Sequence, residues 1–157
     1  MPITAQAGTQ QPKGRIVVGV DGSESCNGPL LWAARQAELT DASLEVVLVS
    51  HLPLMAYGFS VAPPAGLDPE ARAKQRLEAM IHSVLGEPDS LEVVPIVTGG
   101  PVAKTLLRIA KGADLLVVGA RGHAPLVGML LGSVSEHCVN HAKCPVVVIH
   151  HHDKRAA

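Results

Sequence analysis

Aromatic side chains are almost missing from this chain of 157 residues, which holds one Trp, one Tyr and one Phe, 2% of the whole. Apolar residues still make up 47%, so the core has to be built from Val, Leu, Ile and Ala. Such a core suits parallel strands covered by helices on both faces better than a sandwich or an aromatic-rich binding module. Cysteine is scarce too. Cys26, Cys138 and Cys144 show no C-x-x-C spacing, and their odd number fits a reducing cytoplasm rather than a disulfide framework. The net charge is only -1 and no basic run exceeds Lys154-Arg155, so nucleic acid is not an expected partner. No apolar run approaches about 20 residues and no charged-then-apolar leader opens the chain, so neither membrane spanning nor secretion is expected.

Catalytic signatures are missing as well. There is no G-x-S-x-G, H-E-x-x-H or S-x-x-K. The Gly99–Thr105 stretch, GGPVAKT, has Lys104-Thr105 but Ala103 where a phosphate-binding Walker loop needs glycine. A hydrolase needs a positioned base, and a phosphotransferase needs a metal-holding acid plus a lysine on the outer phosphates. Asp21 and Ser23 are the only candidates near the expected phosphate site, so any hydrolysis is expected to be slow. The expectation is a protein that is not an enzyme.

What is present is an alternation. RIVVGVD from Arg15, SLEVVLVS, LEVVPIV, DLLVVGA and PVVVIHH read as buried strands. Between them lie helices over about 25–40, with Pro29 in its first turn, and from Asp68-Pro69-Glu70 to about Leu85. A third helix follows Gly100-Pro101 and ends at Gly112 as a left-handed stop, and a fourth starts at Ser133. At 157 residues one domain is expected, over 15–151, with a disordered arm expected over 1–14 and a flexible tail over 152–157. The fold class is α/β, a doubly wound five-stranded parallel sheet with helices on both faces. Pro95 confines the third strand to an edge or near-edge place. The stretch 51–66 has no period and carries Tyr57 and Phe59, which leaves a lid, a partner patch or loop anchoring open.

The most informative segment is GARGHAPLVGMLLGSVSEH, which runs from Gly119 to His137 between strand four and the last helix. Phosphate is bound where unpaired N–H groups converge, and a helix N-terminus behind a glycine-rich loop supplies them with the positive end of the helix dipole. Ser133 with Glu136 predicts an S-x-x-E capping box. The plainer alternative is a well-capped helix after a flexible loop. In open parallel sheets, ligands bind at the carboxyl ends of the strands where strand order reverses. With the order 3-2-1-4-5, the Asp21-Gly22-Ser23 turn would face the Gly119 loop, so that Asp21 could accept from ribose hydroxyls opposite a phosphate cradle. Asp21 could equally be a turn residue.

These residues carry a resemblance. VVGVDGSE, GGPVAKTLLRIAKGADLLVVGARG, the G-x2-G-x9-G-S spacing of Gly119, Gly122, Gly132 and Ser133, and the closing CPVVVI together resemble the universal stress protein family over nearly all of 15–150. The resemblance implies an adenine-nucleotide alpha-hydrolase-like fold and the ATP-binding branch of the family, with ATP, and Mg2+ alongside it, as ligand. It implies a cytoplasmic nucleotide-dependent regulator, with a cyclic AMP or AMP receptor or a slow ATPase as the alternatives. Carried over by position, Asp21 and Gly119 lie at the ribose. Gly122, Gly132, Ser133 and Val134 lie at the phosphates, Val20, Val49 and Val118 line the adenine, and Arg121 is the nearest cation. The Val49 match depends on the alignment of strand two. The family pairs through its last strand, so the expected partner besides the nucleotide is a second copy, joined around Pro145 to His150. Pro125 and Gly28-Pro29 depart from the family's usual residues.

Three further features are open to more than one reading. His137 and His141 share a helix face near Cys138 and Cys144. That could hold Zn2+ or Cu2+, or could simply complement the helix C-terminus; no metal is expected. His150, His151 and His152 read as a solvated end rather than a metal site. Cys26 reads as a small buried filler rather than a redox thiol.

Overall fold

A computed structural model of the chain describes residues 13–50, 68–120 and 130–150. Among the described residues, five strands and four α-helices alternate: β1 (Arg15–Val20), α1 (Asn27–Thr40), β2 (Ser43–Ser50), α2 (Pro69–Leu85), β3 (Val93–Gly99), α3 (Val102–Ile109), β4 (Leu115–Gly119), α4 (Ser133–His141) and β5 (Val146–Ile149). All strand pairs are parallel, as the alternation predicts, and the sheet order is β3-β2-β1-β4-β5, the expected 3-2-1-4-5. Pro95 sits in β3, an edge strand, opposite Val46 of β2. An edge strand can spare the amide hydrogen that proline lacks.

Because strand side chains alternate between faces, the sheet carries two cores. Ile16, Val18, Leu44, Val46 and Val117 pack under α1 and α2 with Leu30, Ala33, Ala37 and Leu77. On the opposite face Val17, Val47, Leu116 and Val118 pack under α3 and α4 with Leu106 and Cys138. Gly19 of β1 is small for a reason: a Cβ there would lie 2.9 Å from Leu106 Cδ1, so the bare backbone lets α3 settle on the sheet.

Local chemistry explains where the helices begin and end. Asp68 accepts the Glu70 amide at 3.0 Å and Pro69 opens α2, the start the sequence announces. α3 differs from expectation, since it stops at Ile109 and not at Gly112. Gly112 does adopt φ +77, but it turns the chain toward β4 after the helix has ended. The carbonyls left open at and just past that end find a distant donor. Arg15 Nη1 donates to the Ile109 carbonyl at 3.0 Å and Nη2 to the Lys111 carbonyl at 2.8 Å, while Nη1 also meets Glu45 Oε2 at 2.8 Å. One guanidinium therefore satisfies the carbonyls of a helix end and ties it to two strands.

Candidate functional site at the carboxyl edge of the sheet

β1 and β4 are neighbours, with Val18 opposite Val117, so the segments after Val20 and after Gly119 leave the sheet side by side at its carboxyl edge. The first is a knot of short polar side chains. Asp21 Oδ1 accepts from the Ser23 amide at 2.9 Å, the Ser23 hydroxyl at 2.5 Å and the Cys26 thiol at 2.9 Å. The Asp21 amide in turn donates to Cys26 Sγ at 3.2 Å. Since Ser23 gives its one proton to Asp21, the 2.6 Å contact between Ser23 and Ser25 is a bond donated by Ser25. Gly22, at φ +82, makes the turn possible. The chain then enters a 3-10 turn, Glu24–Cys26, that leads into α1. Burial, and then the bond to Asp21, pushes the Cys26 thiol up to about 11, so it stays protonated at neutral pH.

The second segment is held at both ends by a single carbonyl. Ala120, just after β4, accepts from the Gly132 amide at 2.6 Å and from the buried Ser135 hydroxyl at 3.0 Å. The Ser135 hydroxyl also lies 2.9 Å from the Gly132 carbonyl. The ends of the 121–131 connection are thus brought together at the start of α4. The expected S-x-x-E capping box is not formed. Gly132, at φ -75 and ψ 165, is the cap residue, Ser133 is the first helical residue, and the Glu136 amide makes an ordinary helical bond to the Gly132 carbonyl at 2.9 Å. Glycine takes the cap place because its extended backbone completes the bond to Ala120, which leaves Ser133 one position too late to cap. Ser135 was not singled out by sequence. Its only signal there is a small polar residue on the face of an amphipathic helix that turns to the core.

The remaining residues singled out by sequence fall as follows. Gly119 ends β4 opposite Ile149, while Ser133 and Val134 form the first turn of α4. Val49 and Val118 are buried together on the α3 and α4 face, whereas Val20 is buried on the opposite face with α1. Side chains of all three cannot line one slot, so Val20 can face a ligand there only through its main chain. Arg121 and Gly122 lie outside the described residues, as do the 51–66 stretch, His151 and His152. His137 and His141 stack, with ring centroids 4.1 Å apart, and His141 Nδ1 lies 3.0 Å from the His137 carbonyl. Among the described residues no group of three or more His, Cys, Asp or Glu could hold a metal ion.

A cleft of about 340 Å3 opens between the first turns of α3 and α4, lined by Pro101, Val102, Ala103 and Lys104 on one side and by Ser133, Val134 and His137 on the other. The predicted phosphate turn is therefore one wall of an open depression. In the sequence Lys104 stands only in an incomplete Walker pattern; its place across from α4 comes from the fold.

The model of the universal stress protein family matches residues 13–150. The chain belongs to the universal stress protein family. A universal stress protein of Mycolicibacterium smegmatis is 34% identical over 145 residues, covering 90% of this chain and 49% of its own length. The chain spans about half the length of the curated universal stress proteins it matches. The universal stress protein UspA of Lactobacillus plantarum has the same fold, with TM-score 0.67 and 24% identity over 88% of this chain and 99% of its own. A universal stress protein solved in complex with cyclic AMP superposes with TM-score 0.61 at 26% identity, covering 89% of this chain and 98% of its own.

Proposed function

We propose that this universal stress protein binds ATP at the carboxyl edge of its sheet and acts as a nucleotide-dependent regulator without efficient catalysis. The observation that carries the reading is the Ala120 clasp. It fixes Gly132 as the cap and Ser133 and Val134 as the first turn of α4 beside the Asp21 knot, and the first-turn amides of Ser133 and Val134 are donors suited to phosphate. Among the described residues α4 has no side-chain cap competing for those amides. The groups fit an adenylate: the Asp21 carboxylate, just after β1, is an acceptor for a ribose hydroxyl, and the strand ends that carry the buried Val49 and Val118 reach the same edge on the side of α4. Mg2+ would arrive on the phosphates and neutralise part of their charge.

The non-catalytic reading rests on the same knot. Asp21 already accepts three hydrogen bonds at one oxygen, which makes it a poor base for an attacking water. We place the protein in the cytoplasm, consistent with three free cysteines, and no described helix is long and apolar enough to cross a membrane. β5 is an edge strand, and we assign its open side to a second copy of the chain around 145–150. Neither nucleic acid nor a membrane is a proposed partner.

The solved relative that carries cyclic AMP favours one second reading, a receptor for a single-phosphate adenylate. Titration calorimetry with Mg-ATP, AMP and cyclic AMP decides between them. Tighter binding of ATP is expected; cyclic AMP binding far tighter than ATP would establish the second reading. Gly132→Val should weaken ATP at least about tenfold by crowding the turn while moving the unfolding midpoint little, because φ -75 suits any residue.

A further inference from the structure

We infer that the Thr105 hydroxyl hydrogen-bonds the polar edge of the nucleotide's base and so sets the preference of the site for adenine over an apolar ring of the same shape. The inference rests on the nucleotide reading above and adds the group that recognises the base. Two polar side chains are buried among the described residues, Ser135 at 2% exposed and Thr105 at 5%. The Ser135 hydroxyl is used inside the fold, 3.0 Å from the Ala120 carbonyl. The Thr105 amide donates to the Pro101 carbonyl at 2.9 Å, but the Thr105 hydroxyl makes no hydrogen bond among the described residues. Burying a hydroxyl without a partner is unfavourable, and a ligand atom that pairs with it removes that penalty on binding.

The hydroxyl can be reached from the carboxyl edge of the sheet. Among the described residues no fully enclosed side-chain oxygen lacks a partner, so the unpaired Thr105 oxygen keeps an opening to the outside. Gly100 marks where that opening lies, since a Cβ there would stand 3.0 Å from Thr105 Oγ1. Gly100 adopts φ +118 just past β3, and both it and Gly99 are exposed. Bare backbone therefore stands where a side chain would close over the hydroxyl.

This is the side of the site that a base would occupy. β1 lies between β4 and β2 in the sheet, and neighbouring strands are about 4.8 Å apart. Phosphates at α4 and a ribose at Asp21 leave the base to extend over the end of β2 toward β3. α3 packs on β2 on the face that buries Val49, and Ser50 at the end of β2 lies opposite Gly99. A hydroxyl both donates and accepts, so Thr105 can pair with the exocyclic amine or with a ring nitrogen of adenine.

The test is titration calorimetry of the full chain with Mg-ATP and with indole riboside triphosphate, whose ring keeps the shape of the base without its polar edge. Wild type, Thr105→Val and Thr105→Ser are compared. Thr105→Val should lose about fivefold in affinity for ATP, the scale of one neutral hydrogen bond, while Thr105→Ser loses less than about twofold. The indole analogue should bind wild type and Thr105→Val alike. Valine keeps the shape and removes only a hydroxyl that is unpaired in the fold, so Thr105→Val should unfold at or above the wild-type temperature. A Thr105→Val protein that binds ATP as the wild type does, or that loses both ligands by one factor, overturns the inference and leaves the nucleotide reading standing. A lowered unfolding temperature in Thr105→Val marks the hydroxyl as structural and also overturns it. A wild type that binds no adenylate overturns both.

Discussion

At the scale of single residues, the site depends on groups whose hydrogen-bonding capacity is fully used. Ser135 is 2% exposed, and its hydroxyl lies within hydrogen-bond distance of the Ala120 and Gly132 carbonyls, each of which also accepts a main-chain amide. Ser135→Ala removes one buried hydrogen bond from the clasp and should destabilise the fold by about 1 kcal/mol in urea unfolding. A loss under about 0.3 kcal/mol would mean that the clasp is held by the Gly132 amide alone. The thiols give a pH signature. Burial raises both Cys26 and Cys138 from 9.0 to about 11. The unfolded chain therefore releases these protons first as pH rises, so stability contributed by the neutral thiols is complete below about pH 9 and lost by about pH 11. Unfolding at several pH values should show a fall across that window that Cys26→Ser and Cys138→Ser each reduce.

Elements show how far sequence reaches. The Asp68-Pro69-Glu70 start of α2 is legible because cap, first proline and acid all act within one turn, and Asp68→Ala should cost about 1 kcal/mol in chemical denaturation. The end of α3 and the start of α4 were misread for the opposite reason. α3 ends at Ile109, where Arg15, far away in the chain, satisfies the carbonyls of Ile109 and Lys111. Gly132 caps α4 because its amide is bonded to Ala120. A motif such as S-x-x-E records only what neighbours in sequence can do, and here a partner across the fold prevails. Arg15→Ala is expected to cost about 1–2 kcal/mol and to loosen the end of α3 in hydrogen exchange before the strands open.

On the scale of the whole molecule, the parallel sheet and its order were legible, since aliphatic strands alternating with helices leave few topologies open. The same rule put Asp21 and Gly119 at one edge. The division of buried valines between two faces was not legible from the motif, because it depends on which residue of each strand points up: Val20 faces α1 while Val49 and Val118 face α3 and α4. The cleft opposite Lys104 was hidden for a related reason, being made by two helices that meet only in space. The edge strand β5 supports a prediction at this scale. Val147→Lys on that edge should shift the proposed dimer to monomer in sedimentation at micromolar concentration, and an unchanged dimer would place the contact elsewhere.

The central claim is that main-chain amides at the start of α4 hold the phosphates of an adenine nucleotide. Amide chemical shifts observed by NMR during a titration with Mg-ATP test it directly. The signals of Ser133 and Val134 should move together, with the same midpoint as the binding isotherm, while amides at the amino edge of the sheet such as Ser43 stay in place. Saturable ATP binding that leaves those two amides unmoved would contradict the account.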